Sequence, residues 1–314
     1  MTGPSITRLE GVAEPITAAF ARMNARLSGT PYLRDRVALW LGRLSPTADP
    51  TDYFRQVRTV PILTLPRWVE EALDCGTDPA FQDDLVYSTI AGYCHIRLLD
   101  DVMDGEEARD LSLLPATGFF HGEFQGTYAR WFGPEHPFWG RFTALWFGAA
   151  EATVADADLA AITLSQFHEI SARKVSPAKI PIVATCLHHG RPDALPAWLD
   201  LCDRLERIAQ MTDDLFDWQE DLEHPGRSTY FLSEAERRRN AQEPVAAWIL
   251  RGGFEWGVRT VHSWYHELRR DAASLGSDGL ARHLTQQETA LAERAAVLAP
   301  GYRTLGSLAE TWPR

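Results

Sequence analysis

The chain has 314 residues, 45% of them hydrophobic and 24% charged, proportions that suit a globular protein with a large buried core. Its 31 Lys and Arg against 43 Asp and Glu leave a formal charge of −12. Such a surface repels phosphate backbones, which excludes general nucleic-acid binding and demands a local remedy, such as a divalent metal, for any phosphorylated ligand. Cys75, Cys94, Cys186 and Cys202 stand at no metal-ligand spacing and read as buried thiols in a reducing compartment. Met1 to Ser5 contain no basic stretch leading into an apolar run, and no apolar run approaches ~20 residues. The expectation is a cytoplasmic protein without stable membrane insertion.

In chain order, helical periodicity dominates. Phe81–Met103 places Leu85, Ser88/Thr89, Gly92/Tyr93, Ile96 and Leu99/Asp100 at three- and four-residue steps, the period of one helix face. Trp139–Thr153, Leu159–Arg173, Leu195–Asp221 and Pro244–Leu275 read the same way. Gly133-Pro134, Gly190-Arg191-Pro192 and Pro225-Gly226 are the stops. No series of alternating strands, no Gly-x-Gly-x-x-Gly and no phosphate-binding loop is present, so a nucleotide-binding α/β fold is excluded. Several segments exceed the usual helix of ~11–12 residues. With no repeat and no shift in composition, the predicted fold is all-α, with residues 1–314 forming a single large helical bundle around a central apolar cavity.

Two segments carry the chemistry. The first is Leu98-Leu99-Asp100-Asp101-Val102-Met103-Asp104; the second is Gln210-Met211-Thr212-Asp213-Asp214-Leu215-Phe216-Asp217, followed by Asp221. On a helix, Asp100 and Asp104 lie one turn apart on one face, and Asp213, Asp217 and Asp221 continue that spacing over two turns. Like charges so placed destabilise a helix by roughly 0.2–0.5 kcal/mol per pair, and apolar neighbours raise the cost. A bound divalent cation turns the repulsion into coordination. A carboxylate-only set suits a hard ion, Mg²⁺ above all, with Asp100, Asp101, Asp104, Asp213, Asp214 and Asp217 as candidate ligands. Acidic helix faces are often only solvated; Asp83-Asp84, with Tyr87 where a third aspartate should stand, reads as a helix start. Two complete copies amid apolar residues are harder to explain that way. A di-iron carboxylate bundle would need Glu-x-x-His pairs, and none of the 10 histidines has Glu three residues before it.

Leu99-Asp100-Asp101-Val102-Met103-Asp104-Gly105 resembles the first aspartate-rich motif of the class I isoprenoid synthases, in the branch of trans-prenyl diphosphate synthases and their terpene-synthase relatives. Gln210 to Asp217 resembles the second motif, including its preceding glutamine. Arg173-Lys174 resembles the basic pair that holds the diphosphate, and Gly226-Arg227-Ser228-Thr229-Tyr230 the segment that closes over the site. The resemblance implies the isoprenoid synthase fold, with both aspartate helices facing an apolar cavity and Mg²⁺ bridging carboxylates to the diphosphate of an allylic prenyl substrate. It implies catalytic roles for Asp100, Asp104, Asp213, Lys174 and Arg227, and substrate contacts from Arg173, Lys174, Gln210, Arg227 and Tyr230. Residues one and two turns before Asp100, namely Ile96, His95, Gly92 and Ser88, are expected to line the cavity, with Gly92 leaving room below. Family members often form dimers, so a homodimer is a further expectation.

The departures point to a subclass. Chain-elongating relatives carry a Gly-Lys-x-x-Arg stretch near the N-terminus for isopentenyl diphosphate; residues 1–60 offer only Leu33-Arg34-Asp35-Arg36. They also carry two adjacent arginines after the first motif, where this chain has Arg109 and Asp110. An aspartate there repels a second diphosphate. The expected activity is therefore a terpene synthase forming a hydrocarbon or alcohol, with prenyl transfer to isopentenyl diphosphate or another acceptor as the alternative. Trp146, Phe147, Phe167, Phe216, Trp218, Trp256, Trp264 and Tyr265 are expected in the core or pocket wall, where aromatic faces stabilise cations.

Overall fold

The computed structural model describes residues 11–45, 47–56, 60–103, 111–156, 159, 161–223 and 228–311. Asp104, Arg109, Asp110 and Arg227 lie outside the described residues. Fifteen α-helices are present among those described: α1 Ala13–Arg26, α2 Pro31–Leu44, α3 Pro50–Phe54, α4 Val60–Leu73, α5 Pro79–Met103, α6 Leu114–Tyr128, α7 Phe138–Asp156, α8 Leu164–Lys174, α9 Ile180–His188, α10 Leu195–Phe216, α11 Trp218–Glu223, α12 Tyr230–Arg238, α13 Val245–Trp248, α14 Phe254–Ser274 and α15 Asp278–Thr311. The fold is all-α, and the described residues contain no strand. No described helix is long and apolar enough to cross a membrane. The chain divides into two compact units: Met1–Trp139 with Pro181–Pro192, and Gly140–Ile180 with Asp193–Arg314.

In the first unit α5 is the axis, with α1, α4 and α6 packed on it. Val86, Tyr87, Ile90, Cys94 and Leu98 of α5 share a core with Ile16, Ala19 and Met23 of α1, Trp40 and Leu41 of α2, and Ala116 and Phe120 of α6. Their three- and four-residue steps put them on the buried stripe of each helix. The α5–α6 approach is close at Gly92, where an added Cβ would stand 2.9 Å from the Phe124 ring. Asp84 corrects the reading of Asp83-Asp84 as a helix start. It lies in the second turn of α5, buried, and accepts hydrogen bonds from Arg22 (2.6 Å), Arg130 (2.6 Å) and Trp131 Nε1 (2.8 Å). Three donors satisfy a carboxylate that burial would otherwise penalise.

In the second unit α10 is central, packed by α8, α12 and α14, with α15 against α14. Trp198, Leu201, Leu205, Ile208, Met211 and Leu215 form its buried stripe. Gly257 lets α14 cross α10 closely, since a Cβ there would fall 2.1 Å from Leu215. Helix α8 begins at Leu164, not Leu159, because Thr163 and Gln166 form a capping box that satisfies the first free N–H groups. The stretch 244–275 is two helices. A single π-type turn, Ile249–Gly253, separates α13 from α14, and the Trp248 ring lies where a Cβ on Gly253 would be, 2.2 Å away.

Candidate functional site

The second aspartate cluster closes α10. Asp213 and Asp214 stand in its last turn and Asp217 is the C-cap. The Asp217 N–H donates to the Asp213 carbonyl at 2.9 Å, and the Asp221 N–H to the Asp217 carbonyl at 3.0 Å, so the three aspartates keep helical register into α11. Asp213 is half-buried and Asp217 exposed. The end of a helix is the negative pole of its dipole, where a carboxylate is disfavoured by ~0.3–1 kcal/mol. Asp214 differs from its neighbours. It is buried, and its Oδ1 accepts from Gln210 Nε2 at 2.8 Å. Burial pushes its carboxyl up to about 7, partly opposed by the Gln210 hydrogen bond and by the Phe231 backbone N–H. Gln210 thus serves Asp214 one turn along the same helix.

The first cluster occupies the last described turn of α5. Asp100 is half-buried. Asp101 accepts from Trp40 Nε1 at 3.0 Å and forms an ion pair with Arg97 at 2.9 Å, which turns it toward α2. Among the described residues, no group of three or more His, Cys, Asp or Glu side chains stands close enough to hold a metal ion. Asp104, the remaining member of the first motif, lies outside them.

The basic pair ends α8. Lys174 Nζ donates to Asp156 at 2.8 Å, and Arg173 pairs with Glu169 at 3.2 Å. Tyr230 is buried in the first turn of α12, which Thr229 caps, and its ring stacks on Phe167 with centroids 4.7 Å apart. Phe167 also stacks on Trp264 at 6.2 Å, so three aromatic rings of the second unit lie together. The Phe216 ring already carries a cation, the Arg294 guanidinium 3.7 Å from its centroid.

Ser88, Gly92 and His95 lie on the α5 face that meets α6. Ser88 Oγ donates to the Phe124 carbonyl at 3.0 Å, and His95 Nδ1 lies 3.0 Å from the Thr117 carbonyl. The open room expected at Gly92 is occupied by Phe124. Burial lowers the His95 pKa, opposed by its Thr117 contact. Ile96 is half-buried.

One group escaped the sequence reading. Lys179, on the short turn Ser176–Lys179 after α8, is buried; its Nζ donates to the Ala172 carbonyl at 2.8 Å and is ion-paired with Asp203 of α10. Glu206 follows one turn after Asp203. A helical wheel of α10 drawn through Asp213 would have found Glu206, though not Lys179, whose burial depends on α10.

No protein-family model and no curated protein matches the chain. Among solved structures the chain is similar to T. brucei FPPS, a farnesyl diphosphate synthase, in complex with 2-(2,5-dichlorobenzo[b]thiophen-3-yl)acetic acid. Identity is 15%, the match covers 88% of this chain and 96% of that one, and the TM-score is 0.44.

Proposed function

We propose that the protein is a Mg²⁺-dependent class I terpene synthase, which ionises an allylic prenyl diphosphate and converts the carbocation to a terpene hydrocarbon or alcohol. The observation that carries this reading is the placement of Asp213 and Asp217 in register at the C-terminal pole of α10. Helix dipole and mutual repulsion both disfavour two carboxylates there. A hard divalent cation relieves both, and carboxylate oxygens are the donors it takes. Asp100 offers the same donor from α5, with Asp104 one turn on in the sequence. Asp101 and Asp214 hold Trp40, Arg97 and Gln210 instead, so each cluster is proposed to take metal through its remaining aspartates, Asp100 and Asp104 in the first and Asp213 and Asp217 in the second.

When bound, Mg²⁺ supplies positive charge against the departing diphosphate. Lys174 and Arg173 exchange Asp156 and Glu169 for diphosphate oxygens, to which charge-assisted hydrogen bonds are stronger than neutral ones. Arg227 adds a third cationic donor. Phe167, Tyr230 and Trp264 present stacked π faces, and such faces stabilise a desolvated cation by ~2 kcal/mol or more.

Prenyl transfer is the second reading, favoured by one observation: Gln210, Asp213, Asp214 and Asp217 make the second motif complete. Against it, Asp110 replaces an arginine that the acceptor diphosphate would need. The deciding experiment incubates the protein and Mg²⁺ with allylic prenyl diphosphates of increasing length, with and without isopentenyl diphosphate. Organic extracts are then read by mass spectrometry. A hydrocarbon or alcohol should form without acceptor, and a chelator should abolish it. A longer prenyl diphosphate formed only with isopentenyl diphosphate would replace this reading with prenyl transfer.

A further inference from the structure

Helix α10 carries Glu206 seven residues before Asp213. At about 100° and 1.5 Å per residue, that spacing puts both on one face, with Glu206 about 10 Å farther from the C-terminal pole. Glu206 retains some accessible surface, yet its carboxyl is desolvated and makes no hydrogen bond among the described residues. Beside it lies the Lys179–Asp203 pair, whose Lys179 side chain is only 7% exposed. One ammonium cannot neutralise two carboxylates. Asp203 engages it directly, and Glu206 is left to hold or release a proton. Burial pushes the Glu206 carboxyl up to about 7; Lys179 opposes that rise, while Asp203 and Asp213 add to it. A half-buried carboxyl that no donor reaches keeps its proton more readily than a solvated one, and a near-neutral proton affinity is what a general base requires.

We propose that Glu206 is the base that ends the reaction, removing a proton from the carbon next to the cationic centre. This rests on the terpene synthase reading above. In the step, the C–H bond breaks, its electron pair becomes the π bond of an olefin, and the proton moves to a carboxylate oxygen of Glu206. The positive charge on carbon is thereby cancelled, and Glu206 returns its proton to water as product leaves. Lys179 and Asp203 are positioning residues: their ion pair ties the turn after α8 to α10 and holds the Glu206 backbone in place.

The test compares the wild-type protein with Glu206→Gln, which keeps shape and removes the base, and Glu206→Asp, which keeps the base one methylene shorter. Each is incubated with Mg²⁺ and the prenyl diphosphate that the wild type accepts. Released diphosphate, olefin and alcohol are measured, and circular dichroism checks the fold. General-base catalysis is typically worth ~10²–10⁴-fold, so Glu206→Gln should lower the olefin-to-alcohol ratio by at least about tenfold while diphosphate is still released. Glu206→Asp should restore part of that ratio. An unchanged ratio in a folded Glu206→Gln variant overturns the role of Glu206 alone. If Glu206→Gln fails to fold, an olefin-to-alcohol ratio in Glu206→Asp equal to wild type overturns it, and a lowered one supports it. No diphosphate release from any prenyl diphosphate by the wild type overturns the terpene synthase reading, and the base with it.

Discussion

Asp101 and Asp214 are the second aspartates of their clusters, and both are drawn into packing. Trp40 and Arg97 hold the first, and Gln210 holds the second. Their neighbours Asp100 and Asp213 keep half-buried carboxylates at the ends of their helices, which makes a sharp contrast testable. Asp100→Ala, Asp104→Ala and Asp213→Ala should each lower diphosphate release by more than about a hundredfold, since even outer-shell changes cost 10–100-fold in metal sites. Helical content by circular dichroism should stay near wild type, because repulsion within the cluster is relieved. An Asp100→Ala/Asp213→Ala double variant with full turnover would refute the metal assignment. At Gly92 the expectation concerns stability. An alanine Cβ would press on the Phe124 ring at 2.9 Å, and overpacking of this kind costs ~1–3 kcal/mol. Urea titration of Gly92→Ala should show that loss as a lower midpoint with an unchanged slope.

At the scale of elements, α8 shows how a local signal positions a basic pair. Arg173 and Lys174 stand in its last turn, and the start of the helix is set by the Thr163–Gln166 box. Replacing an N-cap threonine by alanine costs ~0.5–2 kcal/mol. Thr163→Ala should therefore lower unfolding stability by about 1 kcal/mol and raise the KM for the prenyl diphosphate more than it lowers kcat. A kcat effect without a KM change would place Lys174 outside substrate binding. The crossing of α10 and α14 is fixed from both sides, because Gly257 admits Leu215. The same α10 stripe that packs there leaves Asp213 and Glu206 on another face.

For the whole molecule, His283 and Glu206 act on acid sensitivity in opposite senses. Burial lowers the His283 pKa from 6.5 to about 4. The folded state then binds fewer protons than the unfolded chain between those values, so this contribution is full above pH 6.5 and is lost as pH falls toward 4. Glu206 acts in the opposite sense. Its carboxyl rises from 4.5 to about 7, so its contribution is full below pH 4.5 and is lost as pH rises toward 7. Each group contributes a slope of at most ~1.4 kcal/mol per pH unit. Between pH 4.5 and 6.5 the two slopes oppose each other. Denaturant midpoints measured across that window should fall more steeply with acid in Glu206→Gln than in wild type, and less steeply in His283→Asn. Parallel curves for all three proteins would contradict both assignments.

The helical class and the spacing of both aspartate clusters were legible in the chain because they are local. A 3.6-residue period and a four-residue carboxylate step need only neighbouring residues, and α5, α7 and α10 begin within two residues of where the periodicity predicts. Local chemistry also misled where a cap or a close contact intervened, as at Thr163 before α8 and at Gly253 beneath Trp248. What tertiary structure alone decided is the use to which each charged side chain is put. Asp84 meets Arg22 and Arg130, Asp101 meets Trp40, and Lys179 meets Asp203. These partners lie 24 to 62 positions apart in the chain. Whether a carboxylate binds metal, secures a helix or holds a proton depends on its desolvation and on which donors reach it. Both are set by segments that folding alone brings to its side.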